Sequence, residues 1–431
     1  MKKFNIVMLA LVLALSCLGT SWAESLTLEE CISRAIGKNP ELLQAKANMD
    51  ATEAQKAVAG ISRRFKLDGS ASFKFSNNVD TNALMEQNKR TAGGTRVALS
   101  AQQLVFDGGK SHLQLSIASK NALAAEKTYE EMKNQIIANV RDAYYNLNKA
   151  TREKAVEQTR YNNYKDRLSL AQNFFNVGSK AKIEVTKAEA DLAKAKLGLV
   201  SANTNEKKNQ ATLAAAIGDP LLDVTAAQDA LELEKWKIDM ESAVAKAMEN
   251  RQEIKAQEVK VASAETNLLL KRKGHMPEIY LTAGLDSSGK PFSESNSKLE
   301  GNDAWRIGAN LNVPILDGSK TLSESRVAKA QVAAEKAALD KIKNEVALEV
   351  RTAWVALEQS EEAVTAAREQ ERFAKDTHSL AKIRYKAGAS DYLEFSDAIE
   401  GLSEAQKNVI NSLYNCKNSV VILKKAMGEY K

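Results

Sequence analysis

The sequence predicts a mostly α-helical chain carrying two β-hairpins, built from a helix, hairpin, long helix, helix unit that occurs twice. Three observations lead there. Residues 107 to 178 keep helical time, stepping three and four through Ile136, Val140, Ala143, Leu147 and Ala150, then Tyr161, Tyr164, Leu168, Ala171 and Phe175, with no proline. Two stretches, around 66–76 and 95–106, switch to a period of two. Finally, a shift of 210 residues lays Arg96 on Arg306, Asp107-Gly108 on Asp317-Gly318, Val140-Arg141 on Val350-Arg351, Gly178 on Gly388 and Gly218 on Gly428. Similar composition of long helices would not align glycines, aspartates and hairpins together.

Residues 1–23 form a leader: Lys2 and Lys3, an apolar core from Ile6 to Leu15, and a Ser21-Trp22-Ala23 cleavage triplet. A secretory signal peptide cut after Ala23 is expected; Cys17 offers lipidation as a rival, against a poor lipobox at Ala14-Leu15-Ser16. Cleavage removes two lysines and no acid, taking the formal charge from +6 to +4. With acids interleaved among the bases, the pattern reads as solvated helix faces and excludes nucleic acid as a partner. Cys31 and Cys416 are left, enough for one bridge or none. No later stretch approaches ~20 apolar residues, so a membrane could be crossed only by strands.

The first repeat spans 24–220. An amphipathic pattern from Thr27 to about Arg64 is split by Asn39-Pro40, with proline at the first turn of the second helix. In the strand at about 66–76, Leu67, Gly69, Ala71, Phe73 and Phe75 alternate with polar residues. The strand at about 95–106 alternates Val97, Leu99, Ala101 and Val105 with Arg96, Ser100 and Gln102. The long helix, about 108–177, opens on Asp107, whose carboxylate can accept from the free first-turn amides. At ~1.5 Å per residue it would reach on the order of 100 Å, far beyond the needs of a globular core. Gly178 ends it, and an alanine-rich helix at about 182–217 returns to Gly218-Asp219-Pro220.

After an irregular linker at 221–239, the second repeat runs 240–431, with strands at about 278–286 and 305–316, a long helix at about 318–387 and a helix at about 391–427. Four two-faced strands cannot close a membrane barrel, where the smallest hold about eight, so closure needs several chains. Long helices with a seam on each side also bury themselves only against neighbours.

These features resemble the TolC family of outer-membrane efflux and secretion channels over essentially the whole mature chain. The resemblance rests on the duplicated order of elements, on Gln103-Leu104-Val105-Phe106-Asp107-Gly108-Gly109 and Val313-Pro314-Ile315-Leu316-Asp317-Gly318 between strand and helix, and on the turns Phe175-Asn176-Val177-Gly178 and Tyr385-Lys386-Ala387-Gly388. It implies a homotrimer with a β-barrel in the outer membrane of a Gram-negative bacterium, joined to a long α-helical barrel in the periplasm. It also implies a passive export duct whose turn end meets a periplasmic adaptor and an inner-membrane pump. The rival reading is a periplasmic coiled-coil scaffold or adaptor without a membrane barrel.

No enzyme is expected: His112, His275 and His378 lack metal-ligand spacing or a nucleophile and acid partner, and no cofactor or metal site is read. The resemblance places periplasmic gate residues at Glu394 and Asp397, with Glu184 as the first-repeat counterpart and Tyr385 as a lock between coils. The arginine expected two positions after Gly388 is Ser390 here. Three copies would bring six carboxylates of Glu394 and Asp397 around one axis, favouring cations; the alternative role for these acids is stabilisation by the helix dipole. Adaptor docking falls on Asn176, Val177, Gly178 and Ser179 with Ala387, Gly388 and Ala389, glycines that also serve the turns. Lipid-facing positions are Phe73, Phe75, Val97, Leu99, Leu281, Leu285, Trp305, Ile307 and Leu311, with Trp305 as an interfacial anchor. Lys74, Arg96, Gln102, Arg306 and Asn310 face water.

Overall fold

The computed structural model describes residues 24–78, 90–226, 238–289 and 301–429. The expected leader and most of the linker, residues 227–237, lie outside these. In chain order come β1 (Glu24–Leu26), α1 (Leu28–Lys38), α2 (Pro40–Ile61), β2 (Lys66–Asn78), β3 (Arg90–Phe106), α3 (Lys110–Asn176) and α4 (Lys182–Ile217). There follow β4 (Val224–Ala226), α5 (Met240–Asn250), α6 (Gln252–Arg272), β5 (Glu278–Gly289), β6 (Gly301–Asn312), α7 (Lys320–Lys386) and α8 (Tyr392–Ala426). The chain divides into unit 1 (residues 1–46, 128–253 and 342–431) and unit 2 (47–127 and 254–341).

In unit 1, α1 starts at a reciprocal cap. The Thr27 hydroxyl accepts from the Glu30 amide, and the Glu30 carboxylate accepts from the Thr27 amide at 2.8 Å. Asn39 breaks the helix in an extended conformation, φ −63° and ψ 123°. Its side chain accepts from the Glu41 amide and donates to the Ala216 carbonyl at 3.0 Å, tying the break to the end of α4. The second repeat does the same with other chemistry. Arg251, 212 residues on, is extended at φ −62° and ψ 123° and donates to the Lys425 carbonyl at 3.1 Å, with Glu253 and Glu349 neutralising it. Gly218, at φ +90°, sits so close to this break that a Cβ would lie 2.8 Å from the Asn39 Cα.

The core of unit 1 gathers Leu26, Cys31, Leu42, Leu213, Ile217 and Val224 around Ile136, Val140, Ala143 and Leu147 of α3. The residues 210 positions later, Val346, Val350, Ala353 and Leu357 of α7, are buried as well. Where an irregular linker was expected, β4 pairs in parallel with β1, Leu26 opposite Ala226. Cys31 and Cys416 are buried free thiols, and burial pushes the Cys31 thiol up to about 11.

Unit 2 carries one antiparallel sheet in the order β2-β3-β5-β6, so the two hairpins are joined through β3 and β5. Register places odd residues opposite odd: Leu99 faces Leu285 and Gly69, Leu285 faces Trp305, and Ala283 faces Ile307. On this face Phe73, Val97, Leu99, Leu281, Leu285, Trp305, Ile307 and Leu311 are all exposed; the Phe75 side chain lies outside the described ones. The opposite face carries Arg96 and Arg306, which share Asp286 at 3.8 and 2.8 Å. Several expected boundaries move: β3 begins at Arg90 rather than near 95, β5 runs to Gly289 rather than 286, and β6 begins at Gly301 rather than near 305 and stops at Asn312 rather than near 316, because Pro314 has no amide to give the ladder. A bulge between Leu104 and Phe106 shifts the last register of β3. No described helix is long and apolar enough to cross a membrane.

Candidate functional site: the turn end of the long helices

The two long helices end alike. After α3, the Gly178 amide bonds the Phe175 carbonyl and the Ser179 amide the Phe174 carbonyl, with Gly178 at φ +73°. After α7, Gly388 and Ala389 bond Tyr385 and Arg384 in the same way, with Gly388 at φ +71°. These left-handed glycines close the helices while satisfying their last carbonyls. Asn176, Val177, Gly178, Ser179, Ala387, Gly388 and Ala389 are all exposed, and nothing lies within 4 Å of where a Cβ on either glycine would stand.

The acids behave differently from one another. Asp391 caps α8, accepting from the Glu394 amide at 3.0 Å. Glu394 is exposed and pairs with Arg384 of its own chain at 3.3 Å, which offsets part of its charge. Asp397, one turn further, is exposed. Glu184 pairs with Lys180 at 3.3 Å and keeps one carboxylate oxygen buried without a hydrogen bond.

Tyr385 is fully buried. Its ring packs edge-on to Phe174 of α3 at 5.8 Å and against Phe395 of α8 at 5.3 Å. Its hydroxyl is buried without a hydrogen-bond partner, and burial, then the Glu184 charge, raises its pKa. Tyr385 therefore joins these helices by ring packing and not through its oxygen. Tyr385→Phe should leave urea stability unchanged or raise it by about 1 kcal/mol, since a buried unpaired hydroxyl is removed. Tyr385→Ala should cost about 3–5 kcal/mol. Ser390, at the expected arginine position, is buried, its hydroxyl 3.5 Å from the Asp391 carbonyl.

A polar cluster behind these turns was not anticipated from the residues. Arg167 of α3 is 0 % exposed, donates to Asp191 of α4 at 3.1 Å, and lies 3.7 Å over the Tyr392 ring of α8. Asp191 also accepts from the Tyr392 hydroxyl at 2.5 Å and from Ser396 at 3.2 Å. Burial and this bond to Asp191 raise the pKa of Tyr392. One to two turns further along α3, Arg160 bridges Glu157 at 3.1 Å and Glu400 at 2.5 Å, Tyr164 donates to Glu400 at 3.0 Å, and Lys407 binds Glu157. Burial alone would raise the Glu400 carboxyl, but Arg160, Tyr164 and Lys194 hold it below the usual carboxylate range. Burial pushes the Tyr164 hydroxyl up to about 12. The signal was spacing: Glu157, Arg160, Tyr164, Arg167 and Ala171 continue the seam in steps of three and four, so these charges occupy core positions.

The comparisons with known proteins agree with this geometry. The family model described as outer membrane efflux protein matches residues 31–219 and 243–429, one match per repeat. Outer membrane protein TolC of Escherichia coli K12 is 23% identical over 99% of this chain and 87% of its own length. Outer membrane efflux protein BepC of Brucella suis is 24% identical over 85% of this chain and 77% of its own. Among solved structures, the Campylobacter jejuni CmeC outer membrane channel superposes with a TM-score of 0.81 at 21% identity, covering 93% of this chain and 85% of that one. The open state of the Neisseria gonorrhoeae MtrE outer membrane channel gives 0.78 at 20%, covering 93% and 88%. With both repeats matched, the chain belongs to the outer membrane efflux protein family and is an outer-membrane channel of the TolC type that extends into the periplasm.

Proposed function

We propose that three copies of the chain form a passive export duct serving a periplasmic adaptor and an inner-membrane pump. The observation that carries this is the four-stranded sheet whose edge strands, β2 and β6, pair on one side only among the described residues, and whose odd-numbered face gathers Val97, Leu99, Leu281, Leu285, Ile307 and Leu311. Three such sheets joined edge to edge make a twelve-stranded barrel, which removes the edges and turns the odd-numbered residues to lipid. Phe73, Val97, Leu99, Leu281, Leu285, Ile307 and Leu311 then meet acyl chains, and Trp305 meets headgroups.

At the other end of the long helices, Val177, 76 % exposed, and the paired glycine turns offer the adaptor a small apolar surface with accessible backbone. Glu394, Asp397 and Glu184 guard the mouth. Because Arg384 offsets Glu394, Asp397 carries more of the ring's field than a count of six carboxylates implies. In planar bilayers, Asp397→Asn should lower cation selectivity and divalent-cation block more than Glu394→Gln, and the double variant should lose most of both. Single-channel selectivity identical to the parent in the double variant refutes the gate assignment. A protein that stays monomeric in detergent and conducts no ions refutes the duct.

A further inference from the structure

The internal duplication exposes an unfilled socket. At the β3-to-α3 junction, Asp107 caps the helix, accepting from the Gly109 amide at 2.8 Å and the Ser111 amide at 2.6 Å. Over this cap sits the turn between α6 and β5. Met276 covers Gly108 so closely that a Cβ there would lie 2.6 Å from the Met276 Cβ. Lys273 donates to the Gly108 carbonyl at 2.7 Å. Lys110 answers with bonds to the Gly274 and Met276 carbonyls at 3.5 and 3.1 Å, and an ion pair with Glu278 at 3.1 Å.

The β6-to-α7 junction repeats the cap. Asp317 accepts from the Thr321 amide at 2.9 Å, Gly318 stands at φ +60° beside Gly108's +66°, and Lys320 takes the place of Lys110. Its glycine stays open: among the described residues no atom lies within 4 Å of a Gly318 Cβ, Lys320 is exposed, and Ile315 and Leu316 are each 93 % exposed. Its natural cover also exists twice in the chain. The α2-to-β2 turn matches the α6-to-β5 turn at a shift of 212, with the Arg64 amide bonded to the Ile61 carbonyl at 2.8 Å as Met276 is to Lys273 at 3.0 Å. In its own chain that turn leads into β2, the strand at the far edge of the sheet from β6.

We infer that the α2-to-β2 turn of a second copy seats on the Asp317-Gly318-Lys320 junction, the Arg64 stem lying over Gly318 as Met276 lies over Gly108. This rests on the trimeric reading and gives that assembly its contacts. Strand order demands it: the partner laid beside β6 by edge pairing is β2, just as β5 lies beside β3 within the chain. The carbonyls of Ser62 and Arg64 then receive the Lys320 ammonium, which sequence change in the turn cannot remove because they are backbone groups. One feature differs. The position of Glu278 is Lys66 in the first repeat, so the seam between copies sets Lys66 against Lys320 where the seam within a chain sets Glu278 against Lys110.

The test uses the full-length assembled protein in detergent. Arg64→Cys combined with Lys320→Cys, treated with a short bis-maleimide, should give covalent dimers and trimers on a denaturing gel, with neither single variant doing so; Cys31 and Cys416 are buried. A link within one chain would leave the band at the monomer mass, so dimer and trimer bands report only links between copies. Assembled protein without this ladder overturns the socket while leaving the trimer standing; a monomer overturns both. Independently, Lys66→Glu should raise the temperature at which the assembled form dissociates by a few degrees, and adding Lys320→Glu should abolish the gain. An unchanged dissociation temperature in Lys66→Glu, or a gain that persists beside Lys320→Glu, overturns it too.

Discussion

Asp191→Ala should unfold at markedly lower urea than the parent, with a loss of about 3–5 kcal/mol, because it strands a fully buried guanidinium. Arg167 holds one ionic hydrogen bond, to Asp191, and two aromatic faces, those of Tyr392 and Tyr164 at 3.7 and 5.3 Å. Two of its nitrogens have no hydrogen-bond partner, so the loss of the carboxylate leaves little to compensate the desolvated charge. The Tyr392 and Ser396 hydroxyls lose their acceptor as well. Removing both charges separates these terms. Arg167→Met with Asp191→Ala should recover most of the deficit, since methionine fills the slot without needing a partner. Urea unfolding followed by helical circular dichroism checks it. Equal instability in the single and double variants would mean that packing, not the buried charge, dominates.

Ile307→Arg should prevent stable assembly in membranes, whereas Asn310→Arg should not. Ile307 lies midway along β6 on the apolar face, 77 % exposed and opposite Ala283. A guanidinium at the centre of the hydrocarbon layer costs about 2–4 kcal/mol per chain, and a trimer repeats it three times. Asn310 lies on the other face, donating to the Thr282 hydroxyl at 3.3 Å, where an added cation meets water. Gel migration of unheated samples reads out assembly directly. If Asn310→Arg proves the damaging change, the assignment of faces is inverted.

Much of the fold was legible because it is written twice. Asn39 and Arg251 share no chemistry, yet each breaks a helix and binds the end of a returning one. Alternation placed the apolar face of every strand, since a period of two admits no other reading once register is fixed. What stayed hidden depends on partners far off in sequence. The pairing of β3 with β5, which merges two hairpins into one sheet, leaves no local mark. Arg167 and Arg160 look like solvated charges until their steps of three and four are followed through the surrounding apolar residues. His378, isolated in the sequence, packs its ring 5.9 Å from Phe395, and burial, then Lys382, lowers its pKa. The ion pair of Glu394 with Arg384 spans a turn whose closure only backbone geometry reveals.

The two longest helices, α3 and α7, both count 67 residues. Each carries buried residues at steps of three and four, Ile136, Val140, Ala143 and Leu147 in α3 and Val346, Val350, Ala353 and Leu357 in α7, so the two seams run in the same phase. One residue inserted in either would displace everything beyond it by about 1.5 Å and about 100° of rotation, throwing its seam out of step with its neighbours. Lengths can therefore change in evolution or by design only together and in units that bring the seam back into phase, such as seven residues. A chain lengthened by one heptad in both α3 and α7, with matching heptads in α4 and α8, should still fold. The same insertion made in one helix alone should not.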